Sequence, residues 1–78
     1  MNLYLLTQDE AFGYDTYDSC IVAAEDEKEA VLISPDEYRR FQKIGAWASK
    51  PENVSAVLIG VASPEVKKGV VLSSFNAG

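Results

Sequence analysis

Four short runs of apolar and β-branched residues, separated by polar segments, dominate the pattern of the chain. They are NLYLLTQ at residues 2–8, YDSCIVAA at 17–24, VSAVLIGVA at 54–62 and GVVLSSF at 69–75. Runs of this length, bounded by turn-forming residues, are typical of β-strands. The pattern therefore predicts a domain with four strands.

Side chains alternate between the two faces of a strand. In the first run this places Leu3 and Leu5 on one face and Tyr4 and Leu6 on the other. In the second run one face carries Tyr17, Ser19, Ile21 and Ala23, and the other carries Asp18, Cys20 and Val22. From Cys20 onward both faces of the second run are largely apolar, which predicts a central strand.

The segment EDEKEAVLI at residues 25–33 predicts a helix between the second and third strands. Asp26 and Glu29 have the spacing of a capping box, with Asp in place of Ser or Thr. Acidic residues crowd the first turn, where the helix dipole favours them. Ala30 is expected to face the sheet, and the helix is expected to end before Pro35.

The segment SPDEYRRFQKIG at residues 34–45 predicts a second, shorter helix. Ser34, Pro35 and Glu37 occupy the positions of an N-cap, a proline in the first turn and a capping glutamate. The glycine at the end of the segment would terminate this helix. Trp47 follows, and we expect it to anchor this part of the chain to the core.

The order of elements is therefore β-β-α-(α)-β-β, in a single domain at residues 1–78. The predicted fold class is α+β with two layers, a four-stranded mixed or antiparallel sheet with one main helix on one face. The strand pairs at the two ends of the chain are expected to be antiparallel hairpins. If the second and third strands are parallel neighbours, the helix between them forms a right-handed crossover.

The composition fits a small globular domain. With 78 residues the chain is near the lower size limit for a domain that folds without disulfides or metal ions, but 47% of its residues are apolar. Its single cysteine cannot form an internal disulfide. The first residues lack the basic start of a signal peptide, and no segment approaches the ~20 apolar residues of a membrane span. We therefore expect a soluble, cytoplasmic protein.

Charge is distributed unevenly along the chain. Residues 1–37 contain ten acidic residues and one lysine, a balance of −9. Residues 38–78 contain six basic and two acidic residues, a balance of +4, and the two together give the net charge of −5. Either the acidic half faces a basic partner, or folding intermixes the halves into an ordinary solvated surface.

Few groups suited to catalysis are present. The sequence contains no histidine, which removes the commonest general base, the serine triad and most zinc sites. Cys20 lies in an apolar run and is expected to be a buried structural thiol. The glycines are too scattered for a phosphate-binding loop, and the acids of the first loop lack the spacing of an EF-hand. We expect no enzymatic activity, no cofactor and no metal site.

The stretch GYDTYDS contains two Tyr-Asp pairs directly before the apolar part of the second strand. Pairing is expected to begin near Tyr17, so that Tyr14 and Asp15 project from the loop beside Asp9 and Glu10. Tyrosine is a favoured interface residue. The residues predicted to bind a protein partner are Asp9, Glu10, Tyr14, Asp15, Asp18, Glu25 and Glu27. The alternative is a tyrosine that covers the sheet edge among solvated aspartates.

A second constellation mixes basic and aromatic side chains. It consists of Tyr38, Arg39, Arg40, Lys43 and Trp47. Basic residues beside stacking aromatics are typical of single-stranded nucleic-acid binding, and they could also hold the phosphates and base of a nucleotide. The acidic net charge disfavours direct contact with nucleic acid. The structural alternative is an amphipathic turn with its aromatic residues packed inward.

The segments YLLTQ, GYDTYDSCIVAAEDEKEA and GVVLSSFNAG resemble a group of small proteins from bacteriophages and bacterial mobile elements. The resemblance covers both ends of the chain and weakens in residues 35–53. It carries no site residues and implies a context only. Small acidic phage proteins include inhibitors that bind host machinery, anti-CRISPR proteins among them.

These observations favour a non-enzymatic protein-binding module that inhibits a host nucleic-acid-processing defence complex. Its acidic half would bind a basic surface of a larger host complex, with no nucleic acid and no membrane as direct partner. One alternative is a module that binds or sequesters a nucleotide. Another is a structural homodimer in which the −9 and +4 halves pair across subunits.

Overall fold

The structure is a computed structural model that describes residues 1–36 and 46–76. Its elements are β1 at Asn2–Gln8, β2 at Thr16–Ala24, α1 at Glu27–Ala30, a 3₁₀ turn at Pro51–Asn53, β3 at Val54–Val61 and β4 at Gly69–Asn76. All four predicted strands are present, with ends within one residue of the predicted ones. The strands form one antiparallel sheet, and with the short helix they make a small α+β fold.

The strand order is β3-β1-β2-β4, which places β2 at a central position as predicted. The β1–β2 hairpin is confirmed. The predicted hairpin of the last two strands is wrong, because β3 pairs with β1 and β4 pairs with β2. Strands β2 and β3 are not neighbours either. The right-handed crossover, which is expected only if these two strands are parallel neighbours, therefore does not occur.

The connection between β3 and β4 explains this order. Residues 62–68 reach up to about 23 Å when extended, whereas the outer strands of a four-stranded sheet lie about 14 Å apart. The connection is therefore long enough to cross the end of the sheet. The backbone N–H of Ala62 donates to the carbonyl of Met1 at 2.9 Å, which directs the chain over that end.

One face of the sheet carries the core. Tyr4 and Leu6 of β1 are buried there beside Cys20 and Val22 of β2, in the arrangement that alternation predicts. Leu6 and Val22 are the largest side chains with no exposed surface among the residues described. Ala30, Trp47, Ala48 and Val54 complete the buried cluster from outside the two central strands.

A β-bulge at Asp18 changes the position of Tyr17. Tyr17 pairs with Phe75 and Ser19 pairs with Ser74, so Asp18 is an extra residue on β2. A bulge interrupts the alternation of side chains. Tyr17 consequently packs against the core cluster and does not share a face with Ser19, contrary to the prediction.

The helix α1 is much shorter than predicted, with four residues. Its predicted cap is confirmed, because the Asp26 side chain accepts a hydrogen bond from the N–H of Glu29 at 2.8 Å. The carboxylate of Glu29 in turn accepts one from the N–H of Glu25 at 3.0 Å. β-Branched residues and Pro35 follow α1 and disfavour further turns. The prediction of one main helix covering a sheet face is therefore corrected.

Trp47 and Ala48 pack on the same face of the sheet as α1 and cover the part of the core that this short helix leaves uncovered. Trp47 is 3% exposed and contacts the core, as predicted. The Ser34 hydroxyl accepts a hydrogen bond from the N–H of Asp36 at 3.1 Å, as an N-cap would. The remainder of the predicted second helix lies outside the described residues. In residues 1–36 and 46–76, no helix is long and apolar enough to cross a membrane.

Candidate functional site

The loop between β1 and β2 is closed at its base by the side chain of Gln8. Its Oε1 accepts hydrogen bonds from the N–H groups of Glu10 at 2.9 Å and Ala11 at 2.7 Å. Its Nε2 donates to the carbonyls of Ala11 and Tyr17. One partly buried amide thus joins the two ends of the loop, and the sequence pattern offers no sign of this role for Gln8.

The tip of the loop is held by the end of β4. The Asn76 side chain donates to the carbonyl of Gly13 at 2.8 Å, and the hydroxyl of Thr16 donates to the same carbonyl at 2.7 Å. The N–H of Asp15 donates to the carbonyl of Asn76. Gly13 has φ of 90° and Asp15 has φ of 60°, values that glycine and aspartate tolerate better than most residues. The stretch GYDTYDS therefore begins as an ordered turn.

This turn exposes two aromatic side chains. Phe12 is 71% exposed and Tyr14 is 75% exposed. Behind them the rings of Tyr17 and Phe75 meet with centroids 4.8 Å apart and planes tilted by 60°. The carboxylates of Asp9, Asp15 and Asp18 belong to exposed residues of the same end of the sheet. We call Phe12, Tyr14, Asp9, Asp15 and Asp18 the loop surface.

Glu10 differs from the other acids of this loop, because its carboxylate is used inside the chain. It accepts hydrogen bonds from the Asn53 side chain at 2.8 Å and from the N–H of Ser49. These hydrogen bonds, that of Asn53 foremost, hold the pKa of Glu10 below its ordinary value. Glu10 therefore ties the loop to residues 49–53 and is a poor candidate for partner contact.

The lowered pKa of Glu10 makes stability depend on pH. Its charged form is favoured by folding, so the stabilisation is present above the unfolded pKa near 4.5 and is lost as the pH falls through the lower folded pKa. We expect Glu10→Gln to lower the melting temperature near neutral pH and to flatten its decline in acid. Thermal unfolding followed by circular dichroism between neutral and strongly acidic pH measures this. Glu52→Gln, at a neighbouring exposed carboxyl, is the control, and identical acid profiles for Glu10→Gln and the wild type would contradict the assignment.

Glu25 and Glu27, the other acids predicted to bind a partner, lie at the opposite end of the sheet. The eight steps along β2 separate the two acidic groups by about 26 Å. Near Glu25 the carboxylate of Glu29 contacts the Lys68 ammonium at 3.2 Å. The pKa of Glu29 is lowered by the hydrogen bond from the N–H of Glu25 and by Lys68. The fold thus separates the predicted acidic site into two groups at opposite ends of the sheet. Beside the second group, Glu29 is paired with Lys68 from the basic half of the chain.

Trp47, the described member of the predicted nucleotide site, belongs to the core and has no free ring face for stacking. Tyr38, Arg39, Arg40 and Lys43 lie outside the described residues. A cleft of about 590 Å³ lies between α1 and the 3₁₀ turn. Its charged lining residues are Asp26, Glu27, Glu52 and Lys28. Three acids against one lysine disfavour a phosphate group in this cleft.

Cys20 is 2% exposed in the sheet, and burial raises the pKa of its thiol to about 12. The thiol is therefore protonated at neutral pH and is a weak nucleophile. Over residues 1–36 and 46–76, no three His, Cys, Asp or Glu side chains come together in a way that could hold a metal ion.

The fold and the loop surface define a class, a small α+β domain that presents aromatic and acidic side chains at one end of an antiparallel sheet. No family model, no curated protein and no solved structure matches this chain.

Proposed function

We propose that this chain is a non-enzymatic protein-binding module whose loop surface contacts a basic surface of a larger protein complex. The observation that carries the proposal is the exposure of Phe12 and Tyr14 on a turn held by hydrogen bonds from Thr16 and Asn76. Large aromatic side chains are enriched among the residues that dominate binding energies in interfaces. An ordered turn also loses less conformational entropy on binding than a flexible one.

The acids of the loop surface support a basic partner. Asp9, Asp15 and Asp18 are exposed at the same end of the sheet as the two aromatic side chains, and no lysine or arginine occurs between residues 1 and 27. An aromatic centre with a charged rim is a common interface arrangement. Electrostatic attraction of this kind accelerates association and weakens with added salt.

The resemblance to small phage and mobile-element proteins supports a narrower form of the proposal. A basic protein surface large enough to attract such a module is typical of proteins that hold nucleic acid. An acidic module that occupies that surface competes with the nucleic acid. The narrower proposal is therefore inhibition of a host nucleic-acid-processing defence complex.

The test begins with a pull-down from bacterial lysate using four tagged baits. They are the wild type, the double variant Phe12→Ala/Tyr14→Ala, the double variant Asp15→Asn/Asp18→Asn and the control Glu25→Gln/Glu27→Gln. Asparagine at position 15 keeps the tolerance for positive φ, so the second variant changes charge with little change of the turn. The control removes the same charge at the other end of β2.

We expect the wild type and the control to capture the same stoichiometric protein. Loss of two aromatic contacts of about 2 kcal/mol each would weaken binding several-hundred-fold, and loss of the two aspartates would mainly slow association. Biolayer interferometry with the captured protein measures both. Equal binding by all four baits would show that the loop surface is not the contact, and loss of binding only in the Glu25/Glu27 variant would place the contact at the opposite end.

A further inference from the structure

The sheet face opposite the core, which we call the open face, carries three rows of side chains across the four strands. The central row is Val57, Leu5, Ile21 and Leu72. On one side lies a row of hydroxyl side chains, Ser55, Thr7, Ser19 and Ser74. On the other side lies a row of small residues and one leucine, Gly60, Leu3, Ala23 and Gly69.

None of these twelve residues is ionisable, although charged residues make up 24% of the chain; an acid touches them where the Ser19 hydroxyl donates to the carboxylate of Asp18. The outer members of the central row are well exposed, Val57 at 58% and Leu72 at 64%. The buried cluster and α1 lie on the other side of the sheet; on the open face Ala23 is fully buried, whereas Leu5 and Ile21 are partly exposed. Continuous apolar surfaces of this kind mark sites of association.

Gly60 belongs to the row of small residues and lies within β3 opposite Leu3, directly beside a β-bulge at which the register with β1 shifts. Glycine within a strand often marks such a bulge. The φ of Gly60 is not positive, and a Cβ built on it would meet no atom within 4 Å. The bare backbone of Gly60 therefore also leaves room for a close approach to this part of the face.

We propose that the open face is a homodimer interface in which the sheets of two copies pack face to face. The central row lies in the middle of the face. A twofold axis in the plane between the sheets that passes through its centre and runs along or across it sets this row against its own copy, as an isologous interface requires. Between Leu5, Ile21 and Leu72 the surface forms a depression of about 210 Å³, which is large enough for an aliphatic side chain of the partner.

The size of the face fits a dimer. Four strands spaced by about 4.8 Å and seven residues of about 3.3 Å give a footprint of roughly 19 × 23 Å. Two such faces cover about 900 Å² in flat projection, and the relief of side chains adds to this, so the total reaches the roughly 1,000 Å² that a biological interface should clear. Sheets of equal twist pack aligned at about −30°, and two copies of one sheet have equal twist.

Charge favours a second copy over the basic partner of the proposed function. A basic surface gains little electrostatic attraction from the central row, which is apolar; the carboxylate of Asp18 lies beside the hydroxyl row, where it accepts a hydrogen bond from Ser19 at 3.1 Å. Two copies with a net charge of −5 each repel one another, so their contact is favoured where ionisable groups are absent. Phe12 and Tyr14 of the loop surface lie in the loop beyond the strand ends, so face-to-face packing through the central row leaves both copies of them exposed.

Sedimentation equilibrium of the full chain tests the proposal between about 1 µM and about 1 mM, concentrations that cover weak to moderate dimers. We expect about 17 kDa, twice the chain mass of 8.5 kDa. The mass should persist between about 0.1 M and about 1 M salt, over which the Debye length falls from about 10 Å to about 3 Å. A mass of 8.5 kDa at all concentrations would overturn the proposal, and so would a dimer that salt dissociates, which would indicate pairing of the acidic and basic halves.

Variants at the two edges of the face separate it from other contacts. Val57→Lys on β3 and Leu72→Lys on β4 should each raise the dimer dissociation constant at least about 100-fold, because each buries an unpaired charge. Val61→Lys, at the end of β3 and 77% exposed on the other face, should leave it unchanged. Loss of the dimer with Leu72→Lys alone would indicate pairing through the β4 edge and would overturn the proposal.

Gly60→Ala is a milder test that preserves folding. Because the added methyl meets nothing within the described chain, the thermal stability of the monomer should stay equal or rise, whereas the dimer dissociation constant should rise about 10-fold through the lost close approach. An unchanged dissociation constant for this variant would contradict a close contact at Gly60. The double variant Phe12→Ala/Tyr14→Ala should retain the dimer, so failure of the proposed function and failure of the dimer are distinguishable.

Discussion

Trp47→Ala is expected to lower the free energy of unfolding by about 3–5 kcal/mol, through lost burial and the cavity left behind. A domain of this size has a total stability of roughly 4–12 kcal/mol, so the expected loss is a large fraction of the total. Trp47 is 3% exposed and packs in the cluster with Tyr4, Leu6 and Ala30. Urea unfolding followed by circular dichroism measures the loss.

Trp47→Phe is the matched control. The indole Nε1 of Trp47 is buried and has no hydrogen-bond partner in the described part of the chain, and an unpaired buried donor costs about 1–3 kcal/mol. Phenylalanine keeps most of the apolar volume and removes this donor. The loss of stability should therefore stay below about 1.5 kcal/mol. Equal losses in the two variants would mean that the indole N–H is hydrogen-bonded in solution.

Leu6→Ala is expected to have the next largest effect, a loss of about 2–5 kcal/mol in the free energy of unfolding. Leu6 has no exposed surface and lies on β1, which has paired strands on both sides. Neighbouring strands hold the backbone in place, so the cavity cannot collapse readily. Urea unfolding at a concentration where the chain is monomeric measures the effect.

Leu5→Ala tests the two faces against each other on the same strand. Leu5 is half-buried on the open face and is absent from the core cluster. Its replacement should cost the monomer less than half the stability that Leu6→Ala costs, and should weaken the dimer instead. Equal losses in the monomer would show that the open face is covered by the chain itself.

The sequence predicted the local structure well because local structure depends on near neighbours. The short apolar run NLYLLTQ, bounded by polar residues, predicted the bounds of β1, and the alternation of side chains along a strand predicted the opposite faces of Leu5 and Leu6. The spacing of Asp26 and Glu29 predicted the cap of α1, which a single hydrogen bond forms. The length of α1 was not predictable in the same way, because it is a balance between propensity and packing.

The candidate site was predicted in part. The exposure of Tyr14 follows from its place in a polar loop before an apolar strand. The role of Glu10 could not be read from the sequence, because Asn53, which hydrogen-bonds to it, lies more than forty residues away in the chain. Glu25 and Glu27 are close to Asp18 in sequence, but an extended strand carries them to the other end of the sheet.

Taken by itself, the sequence determined the four strands, the faces of β1, the helix cap, the burial of Cys20 and the absence of histidine chemistry. Each of these depends on composition or on residues within a few positions. Tertiary structure alone decided that β3 and β4 lie at opposite edges, that a bulge at Asp18 turns Tyr17 toward the core, and that an apolar row crosses all four strands on one sheet face. These features depend on strand pairing between distant segments, whose free energies a local pattern does not contain.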